Sequence, residues 1–231
     1  MAAYPSESYH TQSYNQTIFL TGVTNPAVED VLLAHPHAGL LVQPDSYGSS
    51  AVARWKHWAA DNGCYAKGDD FDPKAWLSWL EALAPEHRSR CLFATAPDVV
   101  GDAVETLLRS LPYLAKVRAM GYPAAFVAQD GSEKDPDNLV PWDDVDVLFL
   151  GGTTEWKLDH YKGGRLAFEA LRRGRRVHMG RVNSKKRLDI ADLFGCATAD
   201  GTFLAFGPTK NLPALIRWWD FQPQHFAKGA A

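Results

Sequence analysis

Short runs of apolar and β-branched residues recur along the chain, each closed by Gly, Pro, Asp or Asn. Most are separated by segments in which apolar residues return every three or four positions. The first pattern predicts strands over 17–21, 39–42, 55–61, 91–95, 124–128, 147–150, 176–179 and 196–200. The second predicts helices over 27–34, 73–83, 99–120, 161–173, 185–194 and 213–219. Local punctuation agrees: Asp72-Pro73 reads as an N-cap followed by a first-turn proline, and Gly174 and Gly195 stand where a helix would stop before a strand.

Eight such βα units in 231 residues imply a single compact (β/α)8 TIM barrel, with an open doubly wound sheet as the competing arrangement. The domain is expected over 17–231, preceded by a polar segment, 1–16. The stretch 131–138 reads as a polar loop. Hydrophobic residues at 46% and charged residues at 22% exclude disorder, a collagen-like repeat or a disulfide scaffold for the whole chain.

Apolar runs such as 147–150 and 203–206 are far below the roughly 20 residues of a membrane span. Residues 1–16 lack the basic and apolar regions of a secretory signal. Cys64, Cys91 and Cys196 have no C-x-x-C spacing, which argues against both a disulfide framework and a cysteine zinc site. A reducing, cytoplasmic setting is the expectation.

The net charge of −3 hides a basic cluster of Arg172, Arg173, Arg175, Arg176, Arg181, Lys185, Lys186 and Arg187. Such a run is either a solvated face or a local phosphate-binding patch. Arg181, Lys185, Lys186 and Arg187 follow the seventh strand, on the side where a barrel gathers its site, and are candidates to hold nucleic-acid phosphates. Arg172, Arg173 and Arg175 precede that strand and belong to the opposite, solvated face.

Barrel active sites form where strands end, so the polar residues after each apolar run are the informative ones. The third run ends in Asp61-Asn62-Gly63-Cys64-Tyr65 and the fourth in Asp98. The fifth ends in Gln129-Asp130-Gly131, the sixth in Gly151-Gly152, the seventh in Gly180-Arg181 and the eighth in Asp200-Gly201. Each alone is also a turn former. Asp61, Asp98 and Asp200 offer three carboxylates, Gln129 a carboxamide and Gly151-Gly152 a backbone to one barrel mouth, a set suited to a flat polar heterocycle. A guanine-like base has N–H donors beside a carbonyl, and Asp61 with Asp200 match a retaining displacement at an anomeric carbon.

These strand ends resemble the queuine tRNA-ribosyltransferase superfamily, (β/α)8 enzymes that exchange guanine for a 7-deazaguanine base. Asp-Asn-Gly-Cys-Tyr at 61–65 is similar to the family's Asp-Ser-Gly-Gly-(Phe/Tyr), and Val-Ala-Gln-Asp-Gly at 127–131 to its Val-Gln-Gly-Gly. Leu150-Gly151-Gly152, Met179-Gly180 and Gly-Cys-Ala-Thr-Ala-Asp at 195–200 follow in the family's order, over about residues 55–205. The resemblance implies Asp200 as nucleophile and Asp61 as general acid/base. It further implies Asp98 and Gln129 as readers of the base, Gly151 and Gly152 as backbone donors to its carbonyl, and Tyr65 and Met179 as its two stacking faces.

The family's zinc module and its Pro-Thr-Arg are missing, and Ala197 stands where the family has an Asp. These departures resemble the short phage and bacterial branch that inserts 7-deazaguanines such as preQ0 into DNA. The implied partners are therefore nucleic acid, DNA favoured over tRNA, and a free guanine or 7-deazaguanine base. No cofactor and no metal are expected. His35-Pro36-His37 has the H-x-H form of metal-dependent hydrolases but precedes its strand. His178, within a strand, reads as a core or lining residue, and Trp218-Trp219 as packing for the last helix. Competing readings are the tRNA enzyme itself, a base-excising N-glycosidase that uses water as acceptor, and a non-catalytic nucleic-acid or base-binding module.

Overall fold

The structure, a computed structural model, describes residues 17–220 apart from 23, 24, 45 and 47. The segment 1–16 lies outside the described residues. Eight parallel strands close into a barrel in sequence order. They are β1 Ile18–Thr21, β2 Ala38–Val42, β3 Trp58–Ala60, β4 Cys91–Thr95, β5 Ala124–Ala128, β6 Val147–Leu150, β7 Arg176–Met179 and β8 Thr198–Asp200. Each strand pairs with its successor, and β8 returns to β1 with Asp200 opposite Leu20. This closure is the (β/α)8 barrel and excludes the open sheet.

Strands β4 to β7 have the expected bounds, whereas the 55–61 run contracts to Trp58–Ala60. Trp55 instead caps an unexpected helix, Ser49–Arg54, its N–H donating to the Val52 carbonyl at 3.3 Å. Helix Pro73–Ala82 starts as expected, with the Asp72 carboxylate accepting from Lys74 N at 2.8 Å and Ala75 N at 3.3 Å. The 99–120 segment is helical only over Ala103–Ala119, because Asp102 caps it by accepting from Val104 N and Glu105 N. The last helix is longer than expected, Pro208–Asp220, with Pro213 inside it. The 131–138 stretch is not a plain loop: it holds a 3₁₀ turn, Ser132–Lys134, and a short helix, Pro136–Leu139.

Side chains alternate across the pleat, and this parity decides which residues meet inside the barrel. Leu20, Ala59, Phe93, Ala125 and Val147 form the inner core, with Leu41 and Phe149 against it. Their neighbours Phe19, Trp58, Ala60, Ala94, Phe126, Leu148, Leu150, Val177, Met179 and Ala199 pack outward beneath the helices. Tyr122 and Trp219 complete that outer layer. Trp219 is buried and stacks on His35 at 4.1 Å, while Trp218 lies 4.3 Å from Phe203, so the pair packs the last helix as expected. His35 and His37 lie just before β2, at the barrel end opposite the strand C-termini. No described helix is long and apolar enough to cross a membrane.

Candidate active site

At the C-terminal ends of the strands the barrel opens into a cavity of about 460 Å³. Asp61 after β3, Asp98 after β4, Gln129 after β5 and Asp200 at the end of β8 all line it, as do Tyr65, Gly151 and Arg181. The four residues central to the sequence reading thus share one chamber. Inward parity explains three of them: Asp61, Gln129 and Asp200 each stand two residues beyond an inward position, Ala59, Val127 and Thr198.

Asp98 and Gln129 are buried and bonded to each other. Gln129 Nε2 donates to Asp98 Oδ2 at 2.8 Å, and Asn62 Nδ2 donates to Oδ1 at 2.8 Å. Gln129 Oε1 accepts from Gly101 N at 3.1 Å, which fixes the orientation of the amide. Asn62 also accepts from Cys64 N at 2.7 Å, so one side chain organises the Asp61 turn and orients Asp98. Arg109 braces the loop by donating to the Asp98 carbonyl at 3.1 Å. Burial pushes the Asp98 carboxyl above the usual carboxylate range, despite these donors.

The Asp61 carboxyl is raised from 3.8 to about 7. Removal from water is the main cause, followed by the neighbouring charges of Asp200 and Asp98, against which the backbone N–H groups of Asn62 and Gly63 act. A carboxyl with this value exchanges its proton near neutral pH, as a general acid/base must. Asp200 sits differently. Its Oδ1 lies 3.0 Å from His178 Nε2 and 3.3 Å from the Arg181 backbone N, and its Oδ2 has no hydrogen-bond partner among the described residues. Gly180 permits this approach, since a Cβ there would lie 2.6 Å from Phe149 Cε2 and 3.2 Å from Asp200 Oδ1.

Two expected base contacts are corrected by the pleat. Met179 points outward, is fully buried among the outer-layer residues and does not line the cavity, so it cannot form a face of a base site. Its strand neighbour His178 holds the inward position instead. Gly152 is likewise outward, since a Cβ on it would meet Asp130 Oδ1 at 2.3 Å and Trp156 Cε3 at 2.6 Å. The N–H groups of Gly151 and Gly152 both donate to the Ala128 carbonyl, at 3.0 and 3.2 Å. They are engaged within the barrel, not offered to a ligand carbonyl.

The basic residues after β7 divide. Arg181 turns into the cavity, where its guanidinium donates to the Gly151 and Gly152 carbonyls and lies 5.3 Å from the Tyr65 ring centre. Arg187 donates to the Arg181 carbonyl at 3.1 Å, and Lys185 pairs with Asp189. Lys186 is exposed. On the other side of β7, Arg172 and Arg173 pair with Glu169, and Arg173 also with Asp137. Tyr65, on the short helix Cys64–Lys67, is 69% exposed at the cavity rim.

One residue carried no signal in the sequence reading. Lys157, on the short helix Thr154–Leu158 after β6, is fully buried and its Nζ has no hydrogen-bond partner. Burial, with Arg181 nearby, lowers its ammonium from 10.5 to about 7. Only the register of the helix against the barrel reveals it. His178 reads from sequence only as a core or lining residue of its strand, and its contact with Asp200 depends on the β7–β8 register, in which His178 lies opposite Thr198.

No protein-family model matches this sequence, and no curated protein matches it. The chain is similar to several solved structures at low identity. A putative isomerase from Sinorhizobium meliloti has a TM-score of 0.51 and 12% identity, covering 84% of this chain and 52% of that one. This chain therefore spans about half the length of that isomerase. The Amycolatopsis orientalis BexX/CysO complex gives a TM-score of 0.49 at 15% identity, covering 93% and 95% of the two chains. An oxaloacetate acetylhydrolase with bound oxalate gives 0.45 at 11% identity, covering 93% and 85%. The likeness to the isomerase, at 12% identity, concerns the barrel fold alone, and function has to be argued from the site.

Proposed function

We propose that this protein is an enzyme, a guanine transglycosylase that exchanges guanine in nucleic acid, DNA in preference to tRNA, for a free 7-deazaguanine such as preQ0. The observation that carries the reading is the meeting of Asp61, Asp98, Gln129 and Asp200 around one cavity. Residues separated by as much as 139 positions reach it from four strand ends, in the order expected of such an enzyme. Cavities of this size accommodate a small ligand rather than a macromolecular surface, so the target nucleotide would enter flipped out of its strand.

In this reading Asp200 attacks C1′ of the target nucleoside through a carboxylate oxygen. The C1′–N9 bond breaks, and guanine departs with the bonding pair and a proton from Asp61. The incoming base then gives a proton to Asp61 and attacks C1′, releasing Asp200 with net retention. Asp98 accepts from the ring and amino N–H groups of the base. With the Gly151 and Gly152 N–H groups engaged elsewhere, the base carbonyl turns to the second N–H of Gln129 Nε2. Tyr65, at the cavity rim, covers one face of the base.

The test offers matched DNA and tRNA with labelled guanine. Label appearing in DNA supports the proposal, and label in tRNA alone would move the target to tRNA. Abasic sites without incorporated label would make the enzyme a base-excising glycosidase. Binding without label or abasic sites would leave a non-catalytic module.

A further inference from the structure

His178 is fully buried inside the barrel, with the ring centres of Phe149 and Phe93 at 4.2 and 4.8 Å. Its two nitrogens are both committed. Nε2 is 3.0 Å from Asp200 Oδ1 and Nδ1 is 2.8 Å from Thr198 Oγ1. An ionised carboxylate has only lone pairs to offer, so the proton of the first contact belongs to Nε2 and His178 is the donor. The Thr198 hydroxyl, two residues before Asp200 on the same inward face of β8, fixes the ring from its other side. The Arg181 backbone N–H adds a second donor to the same oxygen, at 3.3 Å.

We propose that His178, braced by Thr198, is a positioning residue that ties down Asp200 Oδ1 and so presents Oδ2 to the anomeric carbon. The inference rests on the reading of Asp200 as nucleophile and names what orients it. When Oδ2 bonds to C1′ and the base leaves with the C1′–N9 electron pair and the Asp61 proton, Oδ1 becomes the carbonyl oxygen of the glycosyl ester. In the second half-reaction the C1′–Oδ2 pair returns to the carboxylate, whose charge is shared with Oδ1. A donor on Oδ1 stabilises that anion more than the neutral ester. His178 therefore serves orientation in both steps and favours release of the ester in the second.

This asymmetry separates positioning from simple packing. His178→Phe keeps a buried ring but removes the donor, whereas His178→Gln keeps an N–H. Intact-mass analysis of enzyme mixed with nucleic acid measures the fraction carrying a glycosyl adduct, and peptide mapping locates it. His178→Phe is expected to raise the ratio of adduct to free enzyme on the order of tenfold while slowing turnover, the size of one charge-assisted hydrogen bond. His178→Gln should restore both toward wild type. Should His178→Phe fail to fold, Thr198→Val removes only the brace and is expected to shift the ratio the same way by a smaller factor.

An adduct on Asp200 in wild type whose proportion is unchanged in every folded variant would overturn this inference and leave the proposed function standing. No adduct on Asp200 in wild type, with any nucleic acid, would overturn the proposed function and this inference with it.

Discussion

Replacing Asp61 by Asn should make the protein more stable, in a pH-dependent way that follows from where its carboxylate lies. The group titrates at 3.8 when free and at about 7 in the folded chain, because it is withdrawn from water and faces Asp200 and Asp98. The folded state thus binds the Asp61 proton more tightly than the unfolded state does. Stability linked to that proton is full below about pH 4, declines as the pH rises toward 7, and is lost above it. The difference of about three pH units corresponds to about 4 kcal/mol.

Asn removes the charge and keeps the shape. Urea unfolding at pH 8 should therefore show Asp61→Asn more stable than wild type by about 2–4 kcal/mol, with the gap closing at about pH 4. A gap of the same size at both pH values, or a variant less stable at pH 8, would refute the electrostatic account of this residue. The gain in stability should come with loss of exchange activity, as expected where a site holds a charge in an unfavourable place.

Lys157→Met should also stabilise, by about 3 kcal/mol at pH 6 in urea unfolding. Its ammonium is lowered from 10.5 to about 7, so the penalty is present at low pH and fades as the pH rises toward 10. Tyr65→Ala, at an exposed position, should leave thermal stability unchanged and weaken guanine binding by calorimetry by about 1–3 kcal/mol. Met179→Leu should alter base affinity not at all and cost less than about 1.5 kcal/mol of stability, because the side chain fills the outer layer and not the cavity.

Much of the fold was legible because βα punctuation is local. Asp72 before Pro73, Gly174 after its helix and the apolar run at 147–150 each announce an element from adjacent residues. Trp55 was misassigned for the opposite reason: as an apolar residue beside Trp58 it extends a strand pattern, and only the turn of helix Ser49–Arg54 claims it. Strand ends are legible, which is why Asp61, Asp98, Gln129 and Asp200, all lining one cavity, stand out from sequence.

What the sequence left hidden is a matter of phase and register. Met179 and Gly152 are each one residue out of step with an inward neighbour, His178 or Gly151, and one residue reverses the face. The run 147–150 is apolar throughout, as expected of a parallel strand buried on both faces, so nothing in it marks which parity faces inward. The bond between His178 and Asp200 is hidden for a second reason, since it depends on the pairing of β7 with β8, which no local pattern specifies. Nor does sequence tell that the N–H groups of Gly151 and Gly152 are both spent on the Ala128 carbonyl.

The central claim is that an aspartate at the end of the eighth strand attacks the sugar of a nucleotide whose base lies among Asp61, Asp98 and Gln129. The most direct measurement is exchange of labelled guanine into duplex and single-stranded DNA by wild type and by Asp200→Asn, side by side. The account predicts incorporation by wild type and none by the variant, with guanine still bound by both. Equal incorporation by the two proteins would contradict it.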